Sequence, residues 1–241
     1  MVRRSEVSAV ACCSQLRLSW PFPDPLPDVF FASCRLDARQ WGPHAAECAG
    51  IAEDAALLAS VPKRRAEYLA GRLCARHALH ALMPERPASV DIGRHPDGGP
   101  VWPDGVVGAI THAGCWAAAI VGPAERWWGM GVDVETLFSV ALAEELAPFI
   151  LTPRELALLP FCRQPLEMTL CFSLKESVMK SFLPRIGGAL EFRDVEVTDL
   201  SPGRARLRVT DERVCGWGAS SVEAMWFEWG ESVFTLCAIP R

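Results

Sequence analysis

The chain has 241 residues, half of them apolar and 22% charged, with a formal net charge of −5. That is enough chain for one large or two small folded domains with a sizeable core. The acidic balance excludes a general nucleic-acid binder, so any anion site has to be a local basic patch.

Residues 1–28 read as irregular. Arg3 and Arg4 precede only a short apolar stretch broken by Glu6 and Ser8, a poor secretory leader. No run of about 18 apolar residues follows anywhere, so no membrane span is expected and the expected compartment is the cytoplasm. The proline-rich residues 20–27 predict an extended strap over a surface, and residues 29–33 a short strand. A long helix is expected over about 53–83, interrupted at Pro62 and stopped by Pro84 and Pro87. A turn-rich stretch at 94–105 leads to strands at 106–112 and 117–121, a connection at 125–128 and a strand at 129–135. Beyond these lie a helix near 141–149 and a second start at Thr152-Pro153-Arg154-Glu155. Here Thr152 is the N-cap, Pro153 the first helical residue and Glu155 the far side of a capping box. A helix over 167–182 follows, then strands near 191–200, 204–210, 221–228 and 232–239. The pattern predicts an α+β protein with an N-terminal extension over 1–45 and two similar halves, 46–128 and 129–241.

Chemistry concentrates in a few places. Asp133 and Glu135 are two apart in an apolar, β-branched setting, so a strand puts both carboxylates on one face. Glu176 and Lys180 are four apart, so a helix stacks them. Charges in apolar surroundings need partners, and three carboxylates with a lysine are equipped to hold a hard cation such as Mg²⁺ against a phosphate. The lysines are Lys63, Lys175 and Lys180, and two of them fall in this second segment. On the long helix Arg65, Arg72 and Arg76 form one stripe beside Arg64, opposite a core face of Leu69, Ala70, Leu73, Leu79 and Leu82. That stripe is either a solvated face or a phosphate clamp. His112, which follows Thr111 at a strand end beside glycine, is a further candidate phosphate contact.

The ten cysteines contain no C-x-x-C pair and read as free, mostly buried thiols. The tryptophans share no helical period and read as packing. Walker, G-x-G-x-x-G, G-x-S-x-G and H-E-x-x-H motifs are missing, which argues against nucleotide-loop folds, serine hydrolases and zincins.

Five segments then occur in a telling order: Arg64-Arg65-Ala66-Glu67-Tyr68-Leu69-Ala70-Gly71-Arg72, Pro100-Val101-Trp102-Pro103-Asp104-Gly105, Ala109-Ile110-Thr111-His112, Gly131-Val132-Asp133-Val134-Glu135 and Phe172-Ser173-Leu174-Lys175-Glu176-Ser177-Val178-Met179-Lys180. Together they resemble the motif succession of 4′-phosphopantetheinyl transferases. The match is best to the bacterial Sfp/EntD type that includes enterobactin synthetase component D, and it covers about residues 50–185. The resemblance implies a pseudo-twofold monomer of two α+β halves with coenzyme A in the cleft between them. It implies transfer of the 4′-phosphopantetheine arm to a serine of an apo acyl or peptidyl carrier protein, releasing adenosine 3′,5′-bisphosphate, for siderophore, nonribosomal peptide, polyketide or fatty-acid synthesis. Neither nucleic acid nor membrane is an implied partner.

By the same resemblance Asp133, Glu135 and Glu176 hold Mg²⁺, or Mn²⁺, against the diphosphate. Glu176 takes the proton of the carrier serine and Lys180 neutralises the diphosphate, so Asp133, Glu176 and Lys180 form the catalytic set. Arg64, Arg65, Arg72, His112, Lys175 and Lys180 are the implied coenzyme A contacts. One departure stands out. Many relatives carry a basic residue in the turn before Trp102-Pro103, where this chain has Pro96-Asp97-Gly98-Gly99-Pro100, leaving Arg94 or His95 to replace it. Two other readings stay open: a non-catalytic coenzyme-A-binding assembly subunit, and a different Mg²⁺-dependent phosphoryl-transfer enzyme acting on a free nucleotide.

Overall fold

The computed structural model describes residues 10–86, 91–95, 98–158, 164–186, 188–215 and 220–241. The first half contains β1 (Cys13–Leu18), β2 (Phe30–Leu36), the short helices α1 (Ala45–Ala49) and α2 (Ala55–Leu58), and the long helix α3 (Pro62–Leu82). It continues with the two-residue strands β3 (Gly93–Arg94) and β4 (Pro100–Val101), then β5 (Val106–Ala113) and β6 (Trp116–Pro123). The second half runs β7 (Trp127–Thr136), α4 (Val140–Ile150), α5 (Pro153–Leu158), α6 (Pro165–Ile186), β8 (Val195–Ser201), β9 (Arg204–Val209), α7 (Glu212–Cys215), β10 (Ser221–Trp229) and β11 (Ser232–Pro240). An antiparallel sheet ordered β1-β2-β6-β5 packs against α3, and a second, ordered β7-β11-β10-β9-β8, packs against α6. The mixed architecture is the one the sequence predicts.

Three boundaries differ from expectation. Residues 13–36 are not an extension: β2 pairs with β6 and β1 with β2, so the segment supplies two strands of the first sheet. The register of β1 breaks between Ser14 and Arg17, so no clean alternation marks it in the sequence. Pro62 opens α3 rather than interrupting a longer helix, because at the first helical position its missing N–H has no intrahelical acceptor to lose. The residues before it form α2, capped by Asp54 accepting the Leu57 N–H at 2.7 Å. Trp127 and Trp128 belong to β7, not to a connection. The proline strap is as expected: Phe22 packs edge-on against Phe31 of β2 and Phe227 of β10, pinning it across both sheets.

The strand period of two sorts side chains among three cores. In β6, Ala117, Ala119 and Val121 face α3, while Trp116, Ala118 and Ile120 enter a central layer with Phe234 and Leu236 of β11. In β7, Met130, Val132 and Val134 join that central layer. Gly129, Gly131, Asp133 and Glu135 are thereby left on the α6 side. A Cβ on Gly131 would stand 1.7 Å from the Ser177 carbonyl oxygen, and one on Gly129 2.0 Å from that of Ser181. Only glycine admits so close an approach of strand and helix backbones, and this contact lays α6 directly over Asp133.

The described cysteines are free thiols, and Cys162 lies outside the described residues. No described helix is long and apolar enough to cross a membrane.

Candidate active site

Asp133 is 3% exposed and sits where the two halves meet. Its Oδ1 accepts the Lys180 ammonium at 2.6 Å and the Thr111 hydroxyl at 3.0 Å, and its Oδ2 accepts the Ser173 hydroxyl at 2.7 Å. Thr111 belongs to β5, the edge strand of the first sheet, and its oxygen also accepts the Val134 N–H at 3.2 Å. The seam between the halves is therefore stitched at this carboxylate. Lys180 also lies 3.9 Å from Glu176 Oε2, the helical pair expected from their spacing. Burial alone would lower the Lys180 pKa, but Asp133, Glu176 and Glu135 outweigh it and the pKa is raised.

Burial pushes the Glu135 carboxyl from its ordinary 4.5 up to about 8, with the Asp133 and Glu176 charges adding to the rise and Lys180 opposing it. Burial also raises Glu176, against the pull of Lys180 and with Asp133 adding. The three carboxylates therefore stand within one another's electrostatic reach. Yet among the described residues no three His, Cys, Asp or Glu side chains are arranged as a metal cage, so the expected three-carboxylate ligand set is not preassembled.

A stability consequence follows from Glu135. Its folded pKa lies above the unfolded value, so between about pH 4.5 and pH 8 the folded state binds the extra proton. Stability then falls as pH rises through that window. The Glu135→Gln variant, without metal or coenzyme A, is expected to lose this fall and to melt higher than the parent at pH 8.5. Equal melting temperatures there, with parallel pH profiles, would refute the assignment.

Beside these groups lies a cleft of about 660 Å³, within the size range of small-molecule sites. Arg64, Glu67, Tyr68 and Arg72 of α3 line it, with Trp102, His112 of β5 and Lys180 of α6. Arg72 is 5% exposed; it donates to the Gly93 carbonyl at 3.0 Å and lies over the Tyr68 ring. Its Nε has no partner among the described residues. A buried guanidinium without a carboxylate, on the wall of a cleft, calls for an anion. Arg64 Nη1 lies 2.7 Å from His112 Nε2. A guanidinium only donates, so Nε2 accepts and the imidazole proton sits on Nδ1, facing Glu67 Oε2 at 3.7 Å. Burial lowers the His112 pKa, Glu67 opposing and Arg64 reinforcing.

Other expected contacts lie elsewhere. Lys175 does not line the cleft. Its ammonium is fully buried on another face of α6, donating to Ile150 O at 2.7 Å, Glu155 Oε2 at 2.8 Å and Phe192 O at 3.1 Å. Arg65 is held by both oxygens of Glu53, at 2.7 and 2.8 Å, and does not line the cleft. Arg76 donates to Ala49 O at 2.7 Å. The arginine stripe is thus neither a solvated face nor a clamp throughout; only Arg72 of the three reaches the cleft. In the turn before Trp102, His95 lines the cleft while Arg94 faces Asp54 at 3.5 Å. Pro96 and Asp97 lie outside the described residues. Thr111 and Ser173 belong to the site although no role was expected of them. The signal for Ser173 was present, since it lies seven residues before Lys180 and so on one helical face with it.

Similarity to known proteins spans both halves of the chain. A family model described as the 4′-phosphopantetheinyl transferase N-terminal domain matches residues 52–122, and one for the 4′-phosphopantetheinyl transferase superfamily matches residues 129–237. The chain is 35% identical over 179 residues to the enterobactin synthase component D of Salmonella typhi, covering 72% of this chain and 71% of that protein. It is 35% identical over 196 residues to the 4′-phosphopantetheinyl transferase Svp of Streptomyces mobaraensis, covering 78% and 77% respectively. Against the enterobactin synthase component D of Escherichia coli K12 it is 39% identical over 121 residues, covering 49% and 55%.

Proposed function

The chain belongs to the 4′-phosphopantetheinyl transferase superfamily, and from that membership we propose that it transfers the 4′-phosphopantetheine arm of coenzyme A to a serine hydroxyl of an apo acyl or peptidyl carrier protein. Adenosine 3′,5′-bisphosphate is the other product. The enterobactin synthase name of one relative favours siderophore assembly as the setting, with nonribosomal peptide or polyketide assembly implied by the resemblance alone. The observation that carries the reading is the position of Lys180, which lines the cleft and at the same time pairs with Asp133 at 2.6 Å. It joins an anion-seeking wall to a cluster of carboxylates.

In this reading Arg64 and Arg72 receive the phosphates of coenzyme A, joined by His112 once it is protonated and its Nε2 donates to phosphate instead of accepting from Arg64, with His95 in the place of the missing basic residue. Their role is alignment and charge neutralisation, which is most of what phosphoryl transfer asks of a protein. Glu176, its pKa raised by burial, accepts the proton of the carrier serine as the serine oxygen bonds to phosphorus. Lys180 neutralises the charge that grows on the departing bisphosphate. Asp133, Glu135 and Glu176 suit Mg²⁺ in donor type, and their mutual repulsion is what a divalent cation would relieve. Mg²⁺ is usually held by one or two carboxylates completed by substrate phosphates and water, so an incomplete protein cage fits it. When bound, the cation would supply Lewis-acid polarisation of the diphosphate. A monomer is part of the same proposal, as the resemblance implies.

The test is the intact mass of an apo carrier protein after incubation with this protein, coenzyme A and Mg²⁺. A gain of about 340 Da that disappears with chelator and returns with Mn²⁺ is expected of cation-assisted transfer. Coenzyme A binding with no gain on several carrier types would favour the non-catalytic subunit instead.

A further inference from the structure

Behind Asp133 lies a row of hydroxyls that the steps above do not use. Thr235 stands opposite Asp133 in the β7–β11 ladder, so both side chains leave the sheet towards α6. The helix meets them with Ser173 and Ser177, and all three hydroxyl residues are fully buried. Ser173 Oγ lies 2.7 Å from Asp133 Oδ2 and 2.9 Å from Thr235 Oγ1, and Ser177 Oγ lies 2.6 Å from Thr235 Oγ1.

The proton order is constrained. With the Lys180 ammonium on its other oxygen, Asp133 is a carboxylate and only accepts, so Ser173 donates its one proton to it. Thr235 donates in turn towards Ser173, sharing its proton between Oγ and the Ser173 carbonyl at 2.8 Å. Ser177 donates towards Thr235, whose carbonyl lies 3.1 Å away. The Ser173 proton is committed to the carboxylate, while those of Thr235 and Ser177 divide between the next hydroxyl in the row and a backbone carbonyl, in a chain whose members polarise one another. Buried hydroxyls gain little from apolar packing and are costly without partners. Here they satisfy one another, and the row ends on the carboxylate that Thr111 of one half and Lys180 of the other both reach.

We infer that Ser173 and Thr235, backed by Ser177, are positioning residues for the transfer. They lock the rotamer of Asp133 from behind, so that its other oxygen faces Lys180 and the cleft without reorganisation. The inference rests on the transferase reading and names residues that touch neither substrate.

Thr235→Val keeps the shape and removes the hydroxyl, whereas Thr235→Ser keeps the hydroxyl and removes a methyl; Ser173→Ala removes the terminal donor. Three quantities are measured on the full chain: Mn²⁺ affinity with coenzyme A bound, from the resonance of free Mn²⁺; kcat and KM for coenzyme A; and the melting temperature. Thr235→Val and Ser173→Ala are expected to weaken Mn²⁺ binding about 10- to 100-fold, the scale of lost outer-shell support. They should lower kcat with little change in KM for coenzyme A, while Thr235→Ser retains both. A folded Ser173→Ala or Thr235→Val that binds Mn²⁺ as the parent does overturns the inference, and so does a Thr235→Ser as impaired as Thr235→Val. If Ser173→Ala fails to fold, the two Thr235 variants decide. A parent that transfers normally beside indifferent variants overturns the positioning role alone. A parent that neither binds Mn²⁺ with coenzyme A nor modifies a carrier overturns the transferase reading and this inference with it.

Discussion

Replacing Asp133 by alanine is expected to lower carrier modification about 10³-fold or more, the scale on which a transition state loses a principal electrostatic anchor. Three things go at once: the acceptor of Lys180, the acceptor of Thr111 across the seam, and the end of the Ser173 row. The buried hydroxyls left without an acceptor cost about 1–3 kcal/mol, which a chain of this size tolerates. The variant should therefore still unfold cooperatively. Asp133→Asn refines the result: it retains one acceptor oxygen and the shape, and should recover most of the stability but little of the transfer. Loss of cooperative unfolding in both variants would make Asp133 a structural residue, and transfer within tenfold of the parent would remove it from the reaction.

The second large effect concerns stability. Lys175→Met removes one member of a fully buried ion pair and leaves Glu155 charged at 0% exposure. Breaking such a pair from one side costs about 3–5 kcal/mol, equivalent to a fall in melting temperature of roughly 10 °C for a protein of this size. Glu155 also accepts the Thr152 N–H at 2.7 Å and the Val197 N–H at 2.8 Å, so it ties α5 to β8 as well as to α6. Adding Glu155→Gln removes the charge that Lys175 opposed and keeps an acceptor, and should restore much of the loss. A double variant as unstable as the single one would contradict the pair. Folded Lys175→Met, assayed well below its melting point, should keep the parental KM for coenzyme A. A raised KM with an unchanged melting temperature would return Lys175 to the cleft.

How much of the site was legible is shown by pairs of residues that look alike in the sequence. Arg65 and Arg72 lie on one stripe, yet Glu53, twelve residues earlier, holds the first, while nothing acidic among the described residues meets the second. Lys175 and Lys180 lie in one short motif, yet one stabilises the core and the other faces the cleft. The hydroxyl row escaped notice because two of its members come from α6 and one from β11, about sixty residues apart, and become a unit only when strand and helix touch.

The sequence by itself determined everything that depends on near neighbours. Period two placed Asp133 and Glu135 on one face of β7, period 3.6 stacked Glu176 on Lys180, and the capping box at Thr152 and Glu155 formed as expected. The order of its motifs carried the family. The tertiary structure decided which of those faces met. Gly129 and Gly131 let α6 lie against β7 in one register, and that register turned Lys180 to Asp133 and Lys175 to Glu155. Local geometry fixes the direction in which a side chain leaves its own backbone; what stands at the other end of that direction is supplied by distant segments, and only packing brings them there.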